Sequence, residues 1–126
     1  MIDKIAYVAA GGAIGATMRF LVGHWSVRAL GTGFPWGTLI VNVAGSFAMG
    51  VIAVVLLERF PGSFARWSPF IMTGVLGGFT TFSAFSLDAL LLIEKDKTGL
   101  ALAYIGASVI LSLGGLWAGF TLARAL

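Results

Sequence analysis

Four long apolar runs divide the chain, and charged side chains lie almost only between them. Three of the runs carry no charged residue: 29–57, 67–87 and 98–123. The other begins at Ile5 and continues past Arg19 to about Trp25. Because about 20 helical residues cross the hydrocarbon of a bilayer, each run can span a membrane. The pattern predicts an all-α integral membrane protein, a single transmembrane domain over 1–126 with helices at about 5–25, 34–57, 67–93 and 98–123.

The composition excludes most soluble functions. Only 10% of the residues are charged and 59% are hydrophobic, whereas a soluble domain carries about a quarter charged residues. The lipid bilayer is therefore the expected surroundings. There is no cysteine, His24 is the single histidine, and no nucleotide-binding or hydrolase motif is present, so we do not expect an enzyme. The net charge of +3 comes from scattered residues, which argues against nucleic acid as a partner.

Lysine and arginine are divided almost equally between the two predicted membrane sides. One side would carry Lys4, Arg59, Arg66 and Arg124, and the other Arg28, Lys95 and Lys97, with Arg19 about a turn inside the first helix. Because the bias in these residues sets orientation, near-equal counts predict insertion in both orientations and assembly as an antiparallel pair. The alternative is that one or two charges still fix a single orientation.

Small residues recur at a spacing of four within each predicted helix. The pairs are Gly11 with Gly15, Ser46 with Gly50, Gly74 with Gly78, and Gly115 with Gly119. In lipid, such pairs let helix backbones approach closely, which supplies packing energy between helices. We interpret them as packing contacts rather than binding sites.

The third predicted helix contains a stretch that suits an unbroken helix poorly. Two glycines and two β-branched threonines fall together within GGFTTFSAF, residues 77–85. Irregular backbone at membrane depth is tolerated only where it is buried in protein or lines a cavity. The ends of half-helices there expose carbonyl and amide groups that form ion sites. We predict a break near the middle of this helix; a glycine-rich packing notch is the alternative.

Polar residues inside the other helices are candidates for function, because each one costs free energy in lipid. Thr38 and Asn42 lie one turn apart in the second helix, and Tyr104, Ser108 and Ser112 share one face of the fourth. The three-residue stripe is typical of a wet path, although such hydroxyls also bond to their own backbone. Arg19 and Asp88 are expected toward the same membrane side, as a structural salt bridge or as an anion vestibule.

These motifs together resemble the Fluc, or CrcB-like, family of fluoride channels across all four segments. They are GATMRF around Arg19, PWGTLIVN at 35–42, TGVLGGFTTFSAFS at 73–86, and the stripe on the fourth helix. The resemblance implies an antiparallel homodimer in the cell inner (plasma) membrane, with two pores and a central structural sodium ion. Its implied activity is passive, selective fluoride export that lowers cytoplasmic fluoride.

The resemblance also implies roles for individual residues. Phe82 and Phe85 match the pore-lining phenylalanines, Asn42 the pore asparagine, and the stripe the polar track, with Thr38 and Ser83 as further pore candidates. The backbone carbonyls of Gly77 and Thr80 match the sodium ligands. Asp88 stands where some relatives have a glutamate, which weakens a carried-over pairing with Arg19.

The main alternative is a small dual-topology, proton-coupled exporter of cationic compounds, similar to the small multidrug resistance family. Such a carrier needs a carboxylate buried in the membrane. The first helix has none, and Asp88 lies near a helix end. A third class, a lytic or purely structural assembly, leaves the TTFSAF string and the polar stripe unexplained.

Overall fold

A computed structural model describes all residues, 1–126, as helices joined by short turns. Four helical segments are long and apolar enough to cross a membrane: Ile2–Leu30, Trp36–Arg59, Pro61–Glu94 and Thr98–Ala125. The prediction of four membrane-spanning helices is confirmed. The first, α1 (Ile2–Leu30), extends beyond the expected bounds at both ends. Its extra turns carry Asp3 and Arg28, whose charges suit the first and last turns of a helix.

The second and third crossings are irregular. α2 (Trp36–Val54) continues as a π-helical turn, Val55–Arg59. The third crossing begins with a 3₁₀ turn at Pro61–Ser63 and continues through α3 (Phe64–Ser68), a π-helical stretch (Pro69–Leu76), α4 (Gly77–Phe79) and α5 (Phe82–Glu94). Pro69 has no N–H to donate to the preceding turn, which accounts for the wider helix that starts there. The fourth crossing is one helix, α6 (Thr98–Ala125).

The break in the third crossing lies at Thr80 and Thr81. Thr80 has φ −90° and ψ 159°, and Thr81 has φ −154° and ψ 122°, so both are extended. Thr81 then caps α5, because its Oγ1 accepts a hydrogen bond of 3.1 Å from the Ala84 amide. Gly78 stays helical because it packs on the backbone of α1, and the β-branched threonines take the extended conformation.

Glycines set which helices pair. A methyl group on Gly15 would lie 2.0 Å from the Val75 carbonyl oxygen, so α1 and the third crossing meet backbone to backbone. A methyl group on Gly50 would lie 2.1 Å from the Leu116 carbonyl oxygen, and one on Gly119 2.2 Å from the Phe47 carbonyl oxygen. α2 and α6 are therefore in equally close contact. The predicted packing role holds for these glycines.

Few residues of the single protomer are buried. Only 18 of the 126 residues are buried, and large apolar side chains are exposed on every crossing. The buried cluster joins α2, α5 and α6 through Leu39, Ala89, Leu92, Ala101 and Tyr104. At the opposite end of the second crossing and of α6, Arg124 pairs with Glu58 and Arg59 donates to the Ala123 carbonyl. We call these four residues the terminal clasp.

Candidate functional site

A groove of about 420 Å³ runs beside the break, between α2, α5 and α6. It brings together five residues that the sequence predicted for a pore: Asn42, Phe82, Phe85, Ser108 and Ser112. Its remaining lining is Gly45, Ser46, Met49, Thr80, Thr81, Val109, Leu113 and Leu116. No charged side chain lines this groove, so any ion in it meets only dipoles and apolar walls.

Asn42 holds the break in place. Its Nδ2 donates to the Thr81 carbonyl at 3.0 Å, and its Oδ1 accepts from the Thr81 amide at 2.8 Å. The side chain therefore replaces both hydrogen bonds that a helix would have given this residue. The second Nδ2 hydrogen makes no hydrogen bond within the protomer. The sequence did not indicate the pairing, because the two residues lie 39 positions apart.

Two serine hydroxyls in the groove have no partner within the protomer. Ser108 is only 5% exposed, and neither its Oγ nor that of Ser112 makes a hydrogen bond. A buried polar group left unpaired costs about 1–3 kcal/mol. Both hydroxyls lie on α6 one turn apart and line the same groove. Neither hydroxyl is therefore committed to another group of the protomer.

The phenylalanines form the wall of the groove nearest the break. The Phe82 and Phe85 ring centroids are 5.4 Å apart and their planes are tilted by 59°. Phe85 also contacts the Tyr104 ring, whereas Phe82 is 78% exposed in the single protomer. The edge of an aromatic ring carries positive partial charge and can face an anion.

The remaining predicted pore residues lie outside this groove. Thr38 Oγ1 donates at 2.7 Å and the Tyr104 hydroxyl at 3.1 Å to the same oxygen, Asp88 Oδ2. Thr38 and Asp88 line a second cavity of about 290 Å³ that also includes Lys95. Tyr104 is fully buried and lines neither cavity, and Ser83 lies on the exposed side of α5, near Thr81. The stripe on α6 is therefore divided, with its tyrosine directed to Asp88.

Arg19 and Asp88 form no ion pair in the protomer. The Arg19 Nε donates to the Gly78 carbonyl at 3.0 Å, within α4. Because α1 continues past Arg19 to Leu30, Arg19 packs beside the middle of the third crossing rather than beside the end of α5, where Asp88 lies. Arg19 therefore does not line the cavity around Asp88.

The break leaves backbone carbonyls without their helical donors. The Thr81 amide, which would donate to the Gly77 carbonyl in a continuous helix, donates to Asn42 instead. The Ala84 amide, which would reach the Thr80 carbonyl, donates to Thr81 Oγ1. Both carbonyl oxygens are neutral, hard ligands of the type that alkali and alkaline-earth cations accept.

Comparison with known proteins gives the same family over the whole chain. The model of the family described as "CrcB-like protein, Camphor Resistance (CrcB)" matches residues 6–120. A protein of Cereibacter sphaeroides named fluoride-specific ion channel FluC is 56% identical over 124 residues, covering 98% of this chain and 97% of its own. Proteins of the same name from Agrobacterium fabrum and Caulobacter vibrioides are 51% and 48% identical, and each comparison covers at least 96% of both chains.

These relatives and the four apolar helices place the chain among multi-pass proteins of the bacterial plasma membrane. The relatives are named as channels, a class without enzymatic activity, and no relative described above is named as a proton-coupled exporter. With nearly half or more of its residues identical to each of them, and with the family model matching almost its full length, the chain belongs to the CrcB-like family.

Proposed function

We propose that this protein is a fluoride-selective channel through which fluoride leaves the cell passively. The observation that carries the proposal is the pair of buried, unpartnered hydroxyls of Ser108 and Ser112 in a groove that also holds the Phe82 and Phe85 rings. We take fluoride as the transported ion because the relatives are named fluoride-specific ion channels. The resemblance noted in the sequence leads to the same activity.

The chemistry of the groove suits a small, strongly hydrated anion. Fluoride must exchange its water for other donors, and hydroxyl, amide and aromatic ring-edge hydrogens all provide partial positive charge. A fixed cation would bind fluoride tightly and slow its release, and no basic residue lines the groove. A proton-coupled exporter would need a free carboxylate there, whereas Asp88 lies in the other cavity and already accepts two hydrogen bonds.

An antiparallel homodimer with two pores completes the proposal. The groove is open on the side where Phe82 is exposed, so a second copy is needed to enclose a path. Exposed apolar side chains on every crossing offer surfaces for that copy and for lipid. The near-equal distribution of lysine and arginine supports insertion in both orientations.

A sodium ion at the two-fold axis belongs to the same proposal. The Gly77 and Thr80 carbonyls have lost their helical donors, and two antiparallel chains would present four such oxygens. Four neutral oxygens suit a monovalent cation, because Mg²⁺ and Ca²⁺ favour more ligands, usually including a carboxylate. When bound, the ion would supply positive charge that offsets the carbonyl dipoles and links the two breaks.

Reconstitution tests the proposed activity. Purified protein in liposomes loaded with potassium fluoride or potassium chloride, with valinomycin to carry the counter-charge, is followed by ion-selective electrodes. We expect rapid fluoride efflux and chloride efflux no faster than from protein-free liposomes. Equal efflux of the two anions would reject selectivity, and the absence of fluoride efflux would reject the channel.

A further inference from the structure

One polar side chain of the groove has no role in the site described so far. Ser46 of α2 follows Asn42 by four residues, so both lie on one face of the helix, and both line the groove. Its spacing from Gly50 predicted a packing contact. Gly50 does pack on α6, since a methyl group there would lie 2.1 Å from the Leu116 carbonyl oxygen. Ser46 instead faces the groove.

The Ser46 hydroxyl is not used by its own helix. Hydroxyls in transmembrane helices commonly donate to the carbonyl four residues earlier. Thr17 does so to Ala13 at 2.6 Å, and Ser86 to Phe82 at 3.0 Å. Ser46 makes no such bond to Asn42, whose side chain is itself directed to Thr81. Its hydroxyl is therefore free to donate into the groove.

The same groove has a second feature that indicates a ligand. Ser108 is buried, and its Oγ has no partner, like that of Ser112. These two hydroxyls stand on α6, and Ser46 stands on α2, which packs against α6 through glycine contacts. Hydroxyl donors on two different helices can approach an ion from two directions, whereas the stripe on α6 alone approaches it from one.

We propose that Ser46 is a third hydroxyl donor to the transported fluoride, acting from α2 together with Ser108 and Ser112 on α6. The inference rests on the proposed channel function and adds a residue to its path. Hydrogen bonds to an anion are about twice as strong as neutral ones. Replacing Ser46 with alanine removes one donor and should weaken fluoride binding about tenfold.

The test compares wild type, Ser46→Ala and the control Thr17→Val in proteoliposomes over a range of fluoride concentrations. Thr17 is exposed and its hydroxyl donates to the Ala13 carbonyl, so replacing Thr17 with valine should leave the flux unchanged. Size-exclusion elution gives the folded fraction, to which each flux is normalised. We expect Ser46→Ala to elute as wild type and its half-saturating fluoride concentration to rise about tenfold.

The half-saturating concentration separates an ion contact from a packing role. A purely structural Ser46 would change the number of active channels and leave that concentration unaltered. An unaltered value in Ser46→Ala, whatever the total flux, overturns the inference. Absence of fluoride efflux in the wild type rejects the proposed function itself, and this inference with it.

Discussion

Replacement of Asn42 tests how the break is held. In Asn42→Leu the volume is roughly kept, but the Thr81 amide and carbonyl both lose their partner. Each buried backbone group left unpaired costs about 1–3 kcal/mol, so the free energy of unfolding should fall by about 2–6 kcal/mol. In Asn42→Asp the Thr81 amide keeps its acceptor, but a part-buried carboxylate oxygen without a cationic partner would face the Thr81 carbonyl oxygen, so the loss should be at least as large.

The two variants should lose flux for different reasons. Asn42→Asp adds a negative charge to the groove, and two unit charges 4 Å apart repel by about 4 kcal/mol at an effective dielectric constant near 20. Fluoride flux should therefore fall by roughly a thousandfold in Asn42→Asp. Asn42→Leu should also lose flux because its break is no longer fixed.

The assays are unfolding in sodium dodecyl sulphate titrations and fluoride efflux from proteoliposomes. Ser86→Ala is the control, because it removes a single exposed bond to the Phe82 carbonyl and should change stability by less than about 0.5 kcal/mol. A free energy of unfolding of Asn42→Leu within about 1 kcal/mol of wild type would contradict the role of Asn42 in holding the break. Wild-type fluoride efflux through Asn42→Asp would exclude Asn42 from the ion path.

Three further predictions concern the pore walls, the cation and the orientation. Phe82→Ile and Phe85→Ile keep apolar bulk but lose the ring edge, so fluoride efflux should collapse while size-exclusion elution is unchanged; wild-type efflux in both would contradict the ring-edge role. Prolonged dialysis against sodium-free, N-methylglucamine buffer should lower flux slowly, and added sodium should restore it; undiminished flux would exclude the cation. Reporters fused after Leu126 should be active on both membrane sides, and a signal from one side only would exclude dual insertion.

The sequence predicted the crossings and the glycine contacts because both depend on local patterns. Uncharged runs longer than a bilayer span give the helices, and pairs such as Gly11 with Gly15 give the close contacts. The break was also predictable, since two β-branched residues beside two glycines disfavour a continuous helix. Its position at Thr80 and Thr81 was not, because it depends on which glycine packs against α1.

Side-chain contacts between residues distant along the chain could not be predicted from the sequence. The pairing of Asn42 with Thr81 depends on how two crossings are oriented about their axes. The contact of Arg19 with the Gly78 carbonyl could not be predicted for the same reason, since these two residues lie on different crossings. The spacing of Ser46 from Gly50 predicts a packing contact, and spacing alone does not distinguish that role from a groove-lining one.

The terminal clasp has a consequence for a membrane that separates two different solutions. Glu58, Arg59 and Arg124 lie at one end of the protomer only, where the second crossing and α6 both end. In the proposed antiparallel pair, one clasp would face the cytoplasm and the other the outside medium. A rise in external salt or acid would then weaken the Arg124–Glu58 ion pair of the outward-facing clasp and leave the ion pair of the cytoplasmic clasp unchanged. The two protomers of one assembly, identical in sequence, would then differ in how strongly the ends of their second and fourth crossings are held together.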